Sequence, residues 1–214
     1  MTSAPAPTPP RARSRRLDAR DIARVAASAA LVAVLGLPGG LTLFGAVPIT
    51  AQTLGVMLAG AILGPWLGAL SMTVLLTLVA VGLPLLAGGR GGAAVFGGPS
   101  AGYALGWVFG ALTIGLLVHA GGRKPVLWRT ALGIATGGIL VVYAAGIPVQ
   151  SFVTRLPLAE TALTSLVFVP GDIAKAVLAT AITMTLVRAY PRAFRRTWAH
   201  RRAPRPAPEA AAVP

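Results

Sequence analysis

The sequence predicts an all-α polytopic membrane protein with six transmembrane helices. Three observations lead there. Apolar residues make up 55% of the 214 residues and charged residues only 11%, where a soluble domain carries about a quarter charged. The apolar residues are gathered into six runs punctuated by Gly, Pro and basic segments. The basic residues then sort to one side of the array that those runs define. Mean hydropathy is +0.75, and the length leaves room for one membrane domain and no second folded unit.

In order, residues 1–20 are rich in Pro, Ala and Arg and are expected to form a disordered basic tail. The first run covers residues 22–37, interrupted by Arg24. The second covers 49–63 and ends at the Gly64-Pro65 break. The third covers 66–86 and leads into a Gly-rich loop with Arg90. The fourth covers 103–118, followed by a basic loop holding Arg123, Lys124 and Arg129. The fifth covers 132–147, followed by a loop with Arg155 and Glu160. The sixth covers 173–187. Several runs fall short of the roughly 20 residues of an ideal span. The membrane domain is thus placed at 21–190, with a second disordered basic tail at 191–214.

Six spans put both termini on one side. The N-terminal tail, the 123–129 loop and the C-terminal tail then lie together, leaving Arg90, Arg155 and Lys175 on the other. By the positive-inside rule both termini face the cytoplasm. The formal charge of +14 is concentrated in the tails: six Arg against two Asp in residues 1–24, and seven Arg against one Glu in 188–214. Basic tails beside an apolar body attract anionic lipid; no basic stripe with interleaved aromatics marks a nucleic-acid surface. Ser14-Arg15-Arg16 resembles the start of a twin-arginine signal, but five further apolar runs follow, which a secreted protein has no means to bury.

The turns carry a rhythm. Gly36-Leu37-Pro38, Gly82-Leu83-Pro84 and Gly146-Ile147-Pro148 close the odd-numbered spans, and Pro48, Pro99 and Pro170 precede the even-numbered ones, all toward the outer side. Three helix N-termini would thus point outward with unpaired N–H groups, a natural seat for an anion; the same prolines would also serve merely to mark the membrane interface. Asp172 and Lys175 share one helix face at i, i+3. Ionisable groups at membrane depth usually face a cavity and serve function, although a structural ion pair would satisfy the same spacing. Arg90 lies on the same outer side. Gly60, Gly64 and Gly68, and Gly102, Gly106 and Gly110, are each spaced for close helix packing. There is no Cys, and His119 and His200 have no acids or second His beside them for a metal. No phosphate-binding Gly-x-x-x-x-Gly-Lys loop exists, so uphill transport would need energy from a partner or an ion gradient. These residues by themselves point to a site for a small anion or vitamin on the outer face.

Three blocks go further. Val47-Pro48-Ile49-Thr50-Ala51-Gln52-Thr53-Leu54 with Leu63-Gly64-Pro65 is one. Gly82-Leu83-Pro84 leading through Ala87-Gly88-Gly89-Arg90-Gly91-Gly92 to Gly98-Pro99-Ser100-Ala101-Gly102-Tyr103 is the second. Phe168-Val169-Pro170-Gly171-Asp172-Ile173-Ala174-Lys175-Ala176 is the third. Together they resemble the BioY family, the biotin-binding S components of energy-coupling factor (ECF) transporters, over roughly residues 20–190. The resemblance implies a six-helix S-component fold in the bacterial plasma membrane, with an outward-facing pocket that binds biotin for import and carries out no covalent chemistry or cofactor-dependent step. It implies Asp172, Lys175, Arg90, Gln52, Tyr103, Gly98 and Ser100 as substrate-binding residues. It also implies partners, a T component and two ATPase subunits, docked through small residues on the first helix: Ala23, Ala26, Ala27 and Ala30. Ser100-Ala101 stands where the family more often has Thr-Gly, and Trp107 where Phe is usual. The chemistry fits biotin: an Asp accepts from ureido N–H groups, a Lys donates to the ureido carbonyl, and a cation or helix N-terminus receives the carboxylate. An S component for another vitamin, or a membrane enzyme using Asp172 and Lys175 as acid and base, are the alternative readings.

Overall fold

The computed structural model describes residues 17–40, 47–120, 124–191 and 194, so most of both predicted tails lies outside the described residues. Six helical stretches are present among them: α1 (Ala19–Val34), α2 (Gln52–Leu63), α3 (Pro65–Ala80), α4 (Ala101–Val118), α5 (Leu127–Thr154) and α6 (Leu158–Ala189). Successive helices alternate in direction. The described connecting residues 35–40, 47–51, 81–100 and 155–157 therefore gather at one end, and the Gly64 turn with residues 119, 120 and 124–126 at the other. α4, α5 and α6 are long and apolar enough to cross a bilayer, while α2 and α3 are shorter apolar helices. Lys124 and Arg129 fall at the end where α1 begins and α6 finishes; Arg90 and Arg155 fall at the opposite end.

Small residues set the packing. α4 is the central helix, in contact with α2, α3 and α5. Gly102, Gly106 and Gly110 form one face of it against α5, and a Cβ at Gly110 would lie 2.6 Å from the Gly137 carbonyl oxygen. In lipid, where apolar surface gains nothing by leaving the solvent, such backbone-to-backbone approach supplies dispersion that bulkier side chains would forbid. The other glycine set behaves differently from its spacing. Gly64 sits outside both helices at φ 83, turning α2 into α3, so Gly60 and Gly68 lie on two antiparallel helices. They meet across the turn: a Cβ on Gly68 would come within 3.0 Å of the Gly60 Cα.

Two spans run further than their prolines predict. α5 continues through Pro148 to Thr154, and α6 begins at Leu158, a dozen residues before Pro170. Each proline removes one N–H and crowds the carbonyl four residues earlier. In α6 that carbonyl belongs to Leu166, and the chain tightens into a 3₁₀ turn over Leu166–Phe168, a local adjustment by which membrane helices accommodate proline. The consequence is that Pro170 does not open a free helix N-terminus. Upstream in α5, Thr136–Val141 widens into a π-helical turn, a form often found at functional sites.

α2 has 12 residues and so spans only about 18 Å, well short of a hydrocarbon core of about 30 Å. Non-helical chain at Val47–Thr50 makes up depth on that side. Irregular backbone is tolerated at membrane depth only where protein covers it or it lines a cavity, and these residues line one.

Candidate functional site

A cleft opens among the N-terminal end of α2, the 81–100 connection, α4, and the middle of α5 and α6. Its wall includes Gln52 and Thr53, Arg90, Ser100, Tyr103 and Trp107, Tyr143, and Asp172 with Lys175. Ser100, Tyr103, Ala104 and Trp107 stand at i, i+3, i+4 and i+7, one face of α4 presented along the depth of the cleft.

The charged centre is a closed cluster. Lys175 Nζ donates to Asp172 Oδ1 at 2.9 Å and to Thr53 Oγ1 at 3.0 Å. Thr53 Oγ1 donates to the same Oδ1 at 3.3 Å, and Tyr143 OH donates to Oδ2 at 2.6 Å. The Asp172 and Lys175 side chains keep only 6% and 17% of their exposure. A buried pair persists only when its remaining lone pairs and protons are satisfied, and here α2 and α5 bring the satisfying groups. A carboxylate has about four acceptor positions and an ammonium three donors. After these bonds, Asp172 Oδ2 retains one acceptor position and Lys175 Nζ retains one donor.

Above it, the Gly-rich connection is folded back on itself. Leu86 and Arg90 form an antiparallel bridge, with Leu86 N donating to Arg90 O at 3.0 Å. Gly92 N reaches back to Val79 O at 2.8 Å. Gly88, Gly89 and Gly92 take positive φ, which a Cβ would oppose. The sequence reads as a slack loop, but the chain is a tight hairpin that fixes Arg90. The Arg90 guanidinium touches Ala87 O at 3.1 Å and Ser100 Oγ at 3.4 Å and is otherwise exposed at the cleft mouth.

Gln52 and Tyr103 line the cleft with their polar atoms engaged elsewhere. The Gln52 amide, 1% exposed, donates to Val32 O and Leu85 O and accepts from Ala87 N at 3.0 Å. It ties α1 and the hairpin to the start of α2. Tyr103 OH bonds Gln150 Oε1 at 2.8 Å and Ser165 Oγ at 3.0 Å, joining α4 to α5 and α6, and its ring lies on Gly146. The ring also meets Tyr143 and Phe168 edge-on, at 6.0 and 6.3 Å between centroids. Gly98 precedes α4, its carbonyl accepting from Ala101 N.

A family model, that of the BioY family, matches residues 10–192. The chain belongs to the BioY family. Among its relatives, the biotin transporter BioY of Rhizobium etli is 41% identical over 181 residues, spanning 82% of this chain and 97% of that protein. The BioY of Rhodobacter capsulatus is 40% identical with the same shares of each chain. A crystal structure of the S-component for biotin from an ECF-type ABC transporter superposes with a TM-score of 0.75 at 33% identity, covering 83% of this chain and 95% of that one. The fold is therefore that of an ECF S component.

In this BioY chain, six of the seven residues expected to bind substrate line a single cleft, and Gly98 is not among its lining residues. Thr53 and Tyr143 are two polar lining residues that the sequence did not mark as binding substrate, although Tyr143 is a lone hydroxyl-bearing aromatic within an aliphatic run. On α1, Ala23, Ala26, Ala27 and Ala30 are all exposed on the outward face, whereas Ala29 is in the core.

Proposed function

We propose that this BioY protein captures biotin from the outer side of the plasma membrane, without chemical change to it, for import driven by a T component and two ATPase subunits. The observation that carries the reading is the count of bonds left open at the charged centre. One acceptor on Asp172 and one donor on Lys175, side by side and largely dry, match one ureido N–H and the ureido carbonyl. Arg90 at the mouth receives the carboxylate, and Tyr103, Tyr143 and Phe168 give the thiophane ring and valeryl chain apolar walls. Relatives of about 40% identity over nearly their whole length carry the name biotin transporter.

The basic residues support the orientation: Lys124 and Arg129 lie at the end away from the cleft, which the positive-inside rule assigns to the cytoplasm. The exposed Ala23/Ala27 and Ala26/Ala30 pairs are suited to close contact with a T-component helix. The test is equilibrium binding of biotin to the purified protein in detergent, with riboflavin and thiamine as competitors. Saturable binding of biotin that neither competitor displaces, with the ligand recovered intact, supports the reading. Displacement by another vitamin, or turnover of the ligand, overturns it.

A further inference from the structure

Gln52 and Thr53 are consecutive at the start of α2, and they serve the two ends of the cleft. Thr53 joins the Asp172–Lys175 pair. Gln52 joins the hairpin that carries Arg90. A side-chain amide has two N–H donors and one carbonyl acceptor. Both Gln52 donors are spent, on Val32 O of α1 at 3.3 Å and on Leu85 O at 3.1 Å, and its Oε1 accepts from Ala87 N at 3.0 Å. With the residue 1% exposed, a ligand would gain an N–H from it only by breaking one of these bonds.

The bonds lead instead to Arg90. Ala87 gives its N–H to Gln52, and its carbonyl accepts from Arg90 Nε at 3.1 Å. The two groups flank one Cα, so the bond that holds the N–H also steadies the carbonyl. The hairpin keeps its own shape, because Leu86 and Arg90 pair with each other and Gly89 N donates to Leu86 O. Its place depends on tethers. Gly92 N ties one limb to Val79 O of α3, and Gln52 ties the other to α2 and α1. A long, rotamer-rich arginine exposed at the mouth binds a carboxylate at least cost when its stem is already fixed.

Resting on the biotin reading, with the ligand's acid at Arg90, we propose that Gln52 is a positioning residue: acting through Ala87, its amide sets the Arg90 guanidinium where it receives the carboxylate. This differs from the direct substrate contact that the resemblance implies for Gln52. The start of α2 then fixes the span between the two ends of the ligand, one end through each of two neighbouring side chains.

The test measures equilibrium binding of biotin and of its neutral carboxamide, in detergent, to the parent, Gln52→Met, Arg90→Ala and the double variant. Gln52→Met keeps the length of the side chain and forms none of the three bonds. Biotin is expected to bind it about five- to thirtyfold more weakly, a part of what a hydrogen bond to a charged group is worth. The carboxamide should change by less than about twofold, and Gln52→Met should add less than about twofold once Arg90 is replaced, since residues acting through one contact are not additive. A general loosening of the cleft would weaken both ligands in both backgrounds. Ala87→Pro repeats the test without touching Gln52. Gly89 N bonds Leu86 O and Gly88 has φ 74, a type II turn with Ala87 at the position that proline favours. Proline there removes the N–H that Gln52 holds and keeps the carbonyl that Arg90 uses. The same acid-specific loss is expected, and this variant decides the matter if Gln52→Met does not fold. Equal losses for biotin and carboxamide overturn the proposal, as do losses additive with Arg90→Ala, or a Gln52→Met protein that binds biotin like the parent. A parent that binds no biotin overturns the functional reading and this inference with it, before any variant is compared.

Discussion

The cluster of Asp172, Lys175, Thr53 and Tyr143 makes a quantitative prediction about biotin affinity. Lys175→Met keeps the length of the side chain and removes the ammonium. Two internal bonds are lost, at 2.9 Å to Asp172 and 3.0 Å to Thr53, along with the free donor. Asp172 is left as a nearly buried carboxylate without its cation. Breaking one partner of a hydrogen-bonded buried pair costs about 2–5 kcal/mol, which corresponds to a roughly thirtyfold to several-thousandfold loss of affinity. Asp172→Asn is expected to fall in the same range, because Lys175 is then the unpaired charge. The double variant carries neither buried charge, so its loss should be smaller than the sum of the two by at least about 1.5 kcal/mol. Equilibrium binding of labelled biotin to the four proteins in detergent measures the cycle, and their ligand-free melting temperatures separate affinity from stability. Additive losses, or a Lys175→Met protein that binds within threefold of the parent, would refute the reasoning.

Arg90→Ala should weaken binding of biotin at least tenfold while changing that of its neutral carboxamide little, read by the same assay, because the guanidinium is exposed at the mouth and bonded there only to neutral oxygens, of Ala87 and Ser100. Gly146→Ala places a methyl group on the Tyr103 ring; forcing that ring aside should cost about 1–3 kcal/mol and appear as a lowered melting temperature together with weaker biotin binding. His119, beyond the end of α4, has its pKa held below the usual value by burial; the Ala61 carbonyl, 2.9 Å from Nε2, opposes that shift and Arg129 adds to it. Since the unfolded imidazole takes up its proton first as pH falls below about 6.5, stability is full above that value and is lost as pH drops toward the folded pKa, by up to about 1.4 kcal/mol per pH unit. Melting temperatures between pH 7.5 and 5 should show this decline, and His119→Gln should flatten it. Single cysteines at positions 124 and 156 should label from opposite sides of intact cells.

The order and number of the helices were legible because lipid demands long apolar runs, and this chain interrupts them with few ambiguous residues. Asp172 and Lys175 were legible for the same reason: two charges in an apolar stretch stand out. Their depth was not. Pro170 reads as a helix start, and only the 3₁₀ turn before it lets α6 pass through, which sets the pair well inside the protein. Thr53 and Tyr143 escaped because their role is tertiary. Thr53 is 119 residues from Asp172 in the chain and Tyr143 is 29, and a hydroxyl beside aliphatic neighbours gives no local sign of the carboxylate it will meet. Gln52 was visible as a polar residue in an apolar context, but of its three backbone bonds two depend on where the 85–87 hairpin returns and one on where α1 packs.

The wide turn at Thr136–Val141 has a bearing on how this chain tolerates changes in length. A π turn holds one residue more than the α-helix around it needs, so removing any single residue from that segment would let α5 close into regular helix. The half of α5 that follows would keep its orientation against the half before it, because the wide turn bonds five residues on where regular helix bonds four. Tyr143 would still meet Asp172 and Gly146 would still lie under Tyr103. In a regular helix a one-residue deletion turns everything beyond it by about 100°; here the spare residue would absorb the loss, so the same deletion a turn or two outside Thr136–Val141 is the one that would swing the second half of α5 away from the cleft.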